Sequence, residues 1–79
     1  MIVNVLFFAS LREATDTRQL ELSLDDPTTL RQLAERLEQD YQDLSLRGSL
    51  CAVNERYADP EHTLSEGDTV AFFPPVSGG

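Results

Sequence analysis

The chain has 79 residues, of which 14 are acidic and 6 basic, giving a net charge of −8 and a pI near 4.3. That length permits one domain whose single hydrophobic core takes nearly all the apolar side chains, so an enclosed cleft lined by many catalytic residues is excluded and function falls to a surface or a terminus. The charge repels a phosphate backbone, and no basic stripe or aromatic-basic interleaving offsets it, so nucleic acid is excluded as a partner.

Residues 2–8 are rich in β-branched and aromatic side chains, with Val3, Val5 and Phe7 on one face and Asn4, Leu6 and Phe8 on the other, which predicts an interior strand. A polar stretch around Thr15-Asp16-Thr17 follows. Leu20, Leu22 and Leu24 then alternate with Glu21 and Ser23 as a half-buried strand does, making a hairpin with the first. Asp25-Asp26-Pro27-Thr28 offers capping oxygens and a proline. Leu30, Leu33, Ala34, Leu37 and Tyr41 recur at helical spacing, with Arg31, Glu35, Arg36 and Glu38 facing away, so residues 28–41 are predicted as an amphipathic helix. Gly48 breaks the pattern, Leu50–Asn54 reads as a short strand, and a turn at Glu66-Gly67-Asp68 launches the last strand, Thr69–Phe73.

The order β, β, α, β, β leaves one helix to cover one face of a mixed sheet. The fold class expected is therefore α+β, a β-grasp or ubiquitin-like sheet of four to five strands on one main helix, with residues 1–73 as the domain and 74–79 as a flexible tail.

If Val3, Val5, Phe7, Val70 and Phe72 point to the helix, Leu6, Phe8 and Phe73 are left outside, and Tyr57 and Pro74 extend the group. Such a patch is either a protein-docking surface anchored by aromatic residues or the underside of an irregular segment, such as residues 55–66, that folds over it.

Pro74 and Pro75 lack backbone donors and favour polyproline geometry, so they end the last strand and keep the tail from pairing back onto the sheet. Six extended residues at roughly 3.3 Å each reach about 20 Å, enough to enter a slot in a partner while the body stays outside. In Pro74-Pro75-Val76-Ser77-Gly78-Gly79 the two glycines carry no Cβ to block a narrow channel or hinder attack on the terminal carbonyl. A free carboxylate is unreactive, so a partner must activate it, for instance as an acyl-adenylate made with ATP. Gly-Gly alone is weak evidence. Its setting after a strand, a proline stop and a short spacer on a small acidic domain raises it.

Phe7-Phe8-Ala9-Ser10-Leu11-Arg12-Glu13, Ala52-Val53-Asn54 and above all Gly67-Asp68-Thr69-Val70-Ala71-Phe72-Phe73-Pro74-Pro75-Val76-Ser77-Gly78-Gly79 resemble the small subunit family of molybdopterin synthase, over essentially the whole chain. The resemblance implies a β-grasp sulfur carrier in molybdenum cofactor biosynthesis. In that family a ubiquitin-activating-type adenylyltransferase, using ATP and Mg, adenylates the terminal glycine, which then becomes a thiocarboxylate. Two such carriers convert cyclic pyranopterin monophosphate into the dithiolene of molybdopterin. The resemblance implies that Gly79 bears the sulfur, that Pro74, Pro75, Val76, Ser77 and Gly78 thread the partner's active site, and that Leu6, Phe8, Tyr57 and Phe73 dock. It also implies a large subunit that supplies the catalytic side chains, in a heterotetramer of two small and two large subunits, with no cofactor bound by this chain. A carrier for thiamine or transfer-RNA thiolation, a protein modifier joined to lysines, or a binding module remain as alternatives.

The remaining features read as structural. Cys51 excludes an internal disulfide, suits a reducing cytosol and lies between Leu50 and Ala52 as a small buried hydrophobe rather than a persulfide carrier. No Cys/His cluster has metal-ligand spacing. His62 reads as a loop residue and Asp25-Asp26 as helix-capping carboxylates. No basic leader or membrane-length apolar run is present, so the chain is read as soluble and cytoplasmic, with no membrane partner. All six cations are Arg and none is Lys: a protonated guanidinium cannot attack a reactive acyl terminus as an amine could, although compositional drift explains the same fact.

Overall fold

The computed structural model describes residues 1–25 and 27–75. In chain order these form strand β1 (Ile2–Phe7), helix α1 (Ser10–Thr15), strand β2 (Gln19–Ser23), helix α2 (Leu30–Asp40), and strands β3 (Leu50–Val53), β4 (Arg56–Tyr57) and β5 (Thr69–Phe73). The sheet order is β2-β1-β5-β3-β4. Neighbours run antiparallel except β1 and β5, which pair in parallel with Leu6 opposite Ala71 and Phe7 opposite Phe72. This is the β-grasp arrangement expected from the element order, with β1 interior and β5 at the centre.

The alternation on β1 sorts the sheet's two faces. Val3 and Val5 are 0 % exposed and Phe7 is 1 % exposed, and Val70 and Phe72 of β5 lie beside them. Helix α2 covers this face with Leu30, Leu33 and Leu37, the i, i+3, i+7 stripe of its sequence. Burying each leucine contributes about 2 kcal/mol. Tyr41 meets the ring of Phe7 edge-on at 6.1 Å, and Phe7 stacks on Phe72 at 6.2 Å. Leu44, Leu46 and Leu64 close the core from the loops.

Helix α2 is shorter than the predicted 28–41, and its caps give the reason. Thr29 is the N-cap: its side chain accepts from the Gln32 backbone N–H at 3.2 Å, while the Gln32 side chain accepts from the Thr29 N–H at 3.0 Å. Tyr41 is in an extended conformation and ends the helix, its N–H bonded to the Leu37 carbonyl. Asp25 therefore does not cap α2, and Asp26 lies outside the described residues.

Two elements go beyond the sequence reading. Helix α1, which runs into the polar stretch around Thr15-Asp16-Thr17 and which the sequence did not predict, inserts Leu11 into the core. The Thr15 hydroxyl donates to the Leu11 carbonyl at 3.0 Å, and Asp16 (φ 53) closes the helix with its N–H on the Arg12 carbonyl. Strand β4 holds Tyr57, which falls in the segment 55–66 that the sequence reads as irregular. It pairs with β3 through the two-residue turn Asn54-Glu55, Ala52 opposite Tyr57 and Val53 opposite Arg56.

Candidate docking face and carrier terminus

The site is built on the sheet face that α2 leaves bare. Strand registers set one row of residues across it, Gln19, Leu6, Ala71, Ala52 and Tyr57, spanning five strands or about 19 Å. Ala71 and Ala52, small residues in the middle of that row, form the floor of an open depression of about 650 Å³. Leu6, Phe8, Tyr57, Phe73 and Glu55 stand around it. The rings of Phe8 and Phe73 stack at 4.6 Å and 12°. The structure thus brings together all four side chains named as docking residues.

Polarity changes along the strands. At one end the face carries Asn4 opposite Thr69 and Glu21 opposite Asn4. At the other, where β5 ends, it carries Phe73 opposite Leu50, which is 40 % exposed and joins the patch although the sequence reading counted it only as a strand residue. Its alternation with Cys51 was the available signal. Tyr57, at 76 % exposed, is the most open of the large apolar side chains on this face.

Of residues 55–66, Glu55 and Tyr57 line the depression, and the others do not fold over the patch. They are tied to the start of α2 instead: Leu30 N–H donates to the His62 carbonyl (3.0 Å), Arg31 N–H to the Pro60 carbonyl (3.0 Å) and Leu64 N–H to the Thr28 carbonyl (2.9 Å). Thr29 and Thr63 form an isolated bridge, and the Arg31 guanidinium pairs with Glu61. These bonds draw the segment to the covered side of the sheet.

The chain leaves β5 beside the apolar end of this face. The β3–β5 ladder stops at Phe73 opposite Leu50, because Pro74 and Pro75 have no N–H to continue it. Pro75 stays close to the loop before β3: a Cβ built on Gly48 would stand 3.8 Å from that of Pro75. Gly48 itself has φ +77, where a side chain would be strained. Val76, Ser77, Gly78 and Gly79, the threading residues and the sulfur-bearing terminus of the sequence reading, lie outside the described residues.

Of the other residues considered, Cys51 lies on the core face opposite Phe72 and lines a smaller cleft of about 270 Å³ between α2 and β3. Burial pushes its thiol up from 9.0 to about 11, so near neutral pH it holds its proton and is no nucleophile. His62 is an exposed loop residue whose carbonyl serves α2. Arg12 is half-buried with its Nε lacking a hydrogen-bond partner among the described residues, while Glu13 is exposed. Among the described residues no group of three or more His, Cys, Asp or Glu could hold a metal, and no helix is long and apolar enough to cross a membrane.

A β-grasp sheet with two helices and an apolar open face beside the end of β5 defines the ubiquitin-like class of small proteins, and the chain belongs to the ThiS family, whose model matches residues 5–79. Within that family it is similar to the molybdopterin synthase sulfur carrier subunit of Escherichia coli, with 43 % identity over 99 % of this chain and 100 % of that one. Among solved structures it is similar to SAMP1 from Haloferax volcanii, with TM-score 0.86, 25 % identity and both chains covered completely. It is also similar to a chain in the complex of subunits 1 and 2 of molybdopterin-converting factor from Helicobacter pylori 26695, with TM-score 0.72, 26 % identity and both chains again covered completely.

Proposed function

We propose that this chain is the sulfur carrier subunit of a molybdopterin synthase, and that Gly79 carries the sulfur. The observation that bears most weight is the open depression lined by Leu6, Phe8, Tyr57 and Phe73, which runs along β5 from Thr69 to the end where the strand passes into Pro74 and Pro75. A body docked there delivers its tail to the same partner. Near full-length similarity to sulfur carrier subunits, and to a chain seen in complex with its second subunit, supports this reading.

The chemistry falls into three steps. A ubiquitin-activating-type adenylyltransferase, holding ATP and Mg, lets the Gly79 carboxylate attack the α-phosphorus, so that an acyl-adenylate forms and pyrophosphate leaves. A sulfur nucleophile then displaces AMP at the carbonyl carbon, and a thiocarboxylate results. Finally the body docks on the large subunit and Pro74 to Gly78 enter its active site. There the thiocarboxylate sulfur bonds to a carbon of cyclic pyranopterin monophosphate as a substrate oxygen leaves. Water cleaves the resulting thioester, so that sulfur stays on the substrate and Gly79 regains a carboxylate for the next cycle. Two carriers on a dimer of large subunits supply the two sulfurs of the dithiolene. The chain acts as a sulfurtransferase subunit, with the catalytic side chains on its partner. A cytoplasmic setting follows from that partnership.

Similarity to SAMP1, a small archaeal modifier protein, favours a second reading in which the activated terminus is joined to lysines of other proteins. The family also leaves room for a carrier in thiamine or transfer-RNA thiolation. Intact mass after co-expression with the activating enzyme and a sulfur source separates these. A gain of about 16 Da, sulfur in place of one oxygen, that disappears when Gly79 is deleted supports a carrier. Conversion of added precursor by the large subunit then assigns the pathway. Unchanged mass under every sulfur supply overturns the carrier reading, and branched conjugates to lysine favour the modifier.

A further inference from the structure

Among the described residues six have a positive φ. Gly48 and Gly67 adopt it freely, and Asp16 and Asn54 are types that tolerate it. Ala9 (φ 51) and Glu55 (φ 72) are not. Both border the open face: Ala9 directly follows Phe8, and Glu55 lines the depression itself. Backbone conformations that cost free energy persist where the residue serves another end.

Glu55 is the second central residue of the β3–β4 hairpin turn, where successive left-handed residues favour Asn-Gly. The Asn54 side chain ties this turn to the start of β5, since its Nδ2 donates to Asp68 Oδ1 at 2.9 Å and its Oδ1 accepts from the Thr69 N–H at 3.0 Å. The Glu55 side chain ties nothing. Its carboxylate makes no hydrogen bond or ion pair among the described residues, and it is exposed. Arg56 does not offset it across the patch, because Arg56 pairs with core-facing Val53 and so lies on the face opposite Tyr57.

We infer that Glu55 is a specificity residue of the docking face, an acidic group held at the rim of the apolar depression to meet a Lys or Arg side chain of the large subunit. This rests on the docking reading above. A charge at the rim of an apolar interface selects and steers the partner through the association rate, and salt weakens its effect.

The test compares the full chain with its Glu55→Gly, Glu55→Gln and Tyr57→Ala variants, measuring thermal midpoint and affinity for the large subunit at about 50 mM and about 0.5 M salt. Glu55→Gly relieves the turn and is expected to raise Tm by about 2–5 °C. It should also bind roughly three- to tenfold more weakly at low salt, the difference closing at high salt. Glu55→Gln is expected to lose the same affinity without gaining stability. Wild-type binding by both Glu55 variants while Tyr57→Ala weakens it overturns the inference and leaves the docking reading standing. A loss with glycine but not with glutamine also overturns it, since charge is then not the cause. If Tyr57→Ala too binds like the wild type, the docking reading fails and this inference falls with it.

Discussion

The two faces of this sheet are built from alternating residues of the same strands, and they meet different surroundings. On the covered face Val3, Val5, Phe7, Val70 and Phe72 are at most 3 % exposed beneath Leu33 and Leu37 of α2. On the open face Leu6, Ala71 and Phe73 are only half-buried, with Phe8 stacked on Phe73 and Tyr57 standing out to solvent. One helix can cover one face, so apolar groups on the other have no intramolecular use large enough to retain them against solubility. The first set specifies the fold, and the second is available to a partner.

Truncating one side chain from each face tests that division. Leu37→Ala is expected to cost about 3 kcal/mol of folding free energy, a large part of the roughly 5–15 kcal/mol of a small domain, read from the urea midpoint. Tyr57→Ala should change that midpoint by no more than about 0.5 kcal/mol and yet weaken large-subunit binding by about tenfold or more. Equal losses of stability in the two variants would break the distinction between the faces.

A smaller effect sharpens the boundary at Cys51, which belongs to the covered face but is only partly enclosed. The folded thiol holds its proton more tightly than the unfolded one, so this group's contribution to stability is fully present below pH 9 and declines as pH rises from 9.0 toward about 11. Alkylation of the folded chain at pH 8 is expected to run about a hundredfold slower than that of a free thiol and to accelerate above pH 10, measured by mass against time. Fast alkylation at pH 8 would show that the covered face is not closed at this point.

Periodicity made the two faces legible before any coordinates. Leu30, Leu33 and Leu37 at helical spacing and Val3, Val5 and Phe7 at strand spacing stated which side α2 covers, and the same alternation singled out Leu6, Phe8 and Phe73. Helix α1 was not legible because six residues give less than two turns of pattern, with only Leu11 and Thr15 buried. Strand β4 escaped because two residues carry no alternation and its turn has Glu55 where glycine would have announced a hairpin. The start of α2 was displaced because Asp25, Thr28 and Thr29 all offer capping oxygens, and only geometry selects Thr29. Whether residues 55–66 would cover the patch depended on backbone bonds to Thr28, Leu30 and Arg31, which no local pattern encodes. The Gly-Gly terminus remains a reading of the sequence and of its family.

Backbone amide shifts of the labelled chain, followed as unlabelled large subunit is added, put the central claim to its most direct test. Perturbation is expected to concentrate on Leu6, Phe8, Ala52, Glu55, Tyr57, Ala71 and Phe73, leaving the outer side of α2 at Glu35, Glu38 and Gln39 unchanged. Perturbation centred on α2 with the open face silent would contradict the assignment of that face to the partner.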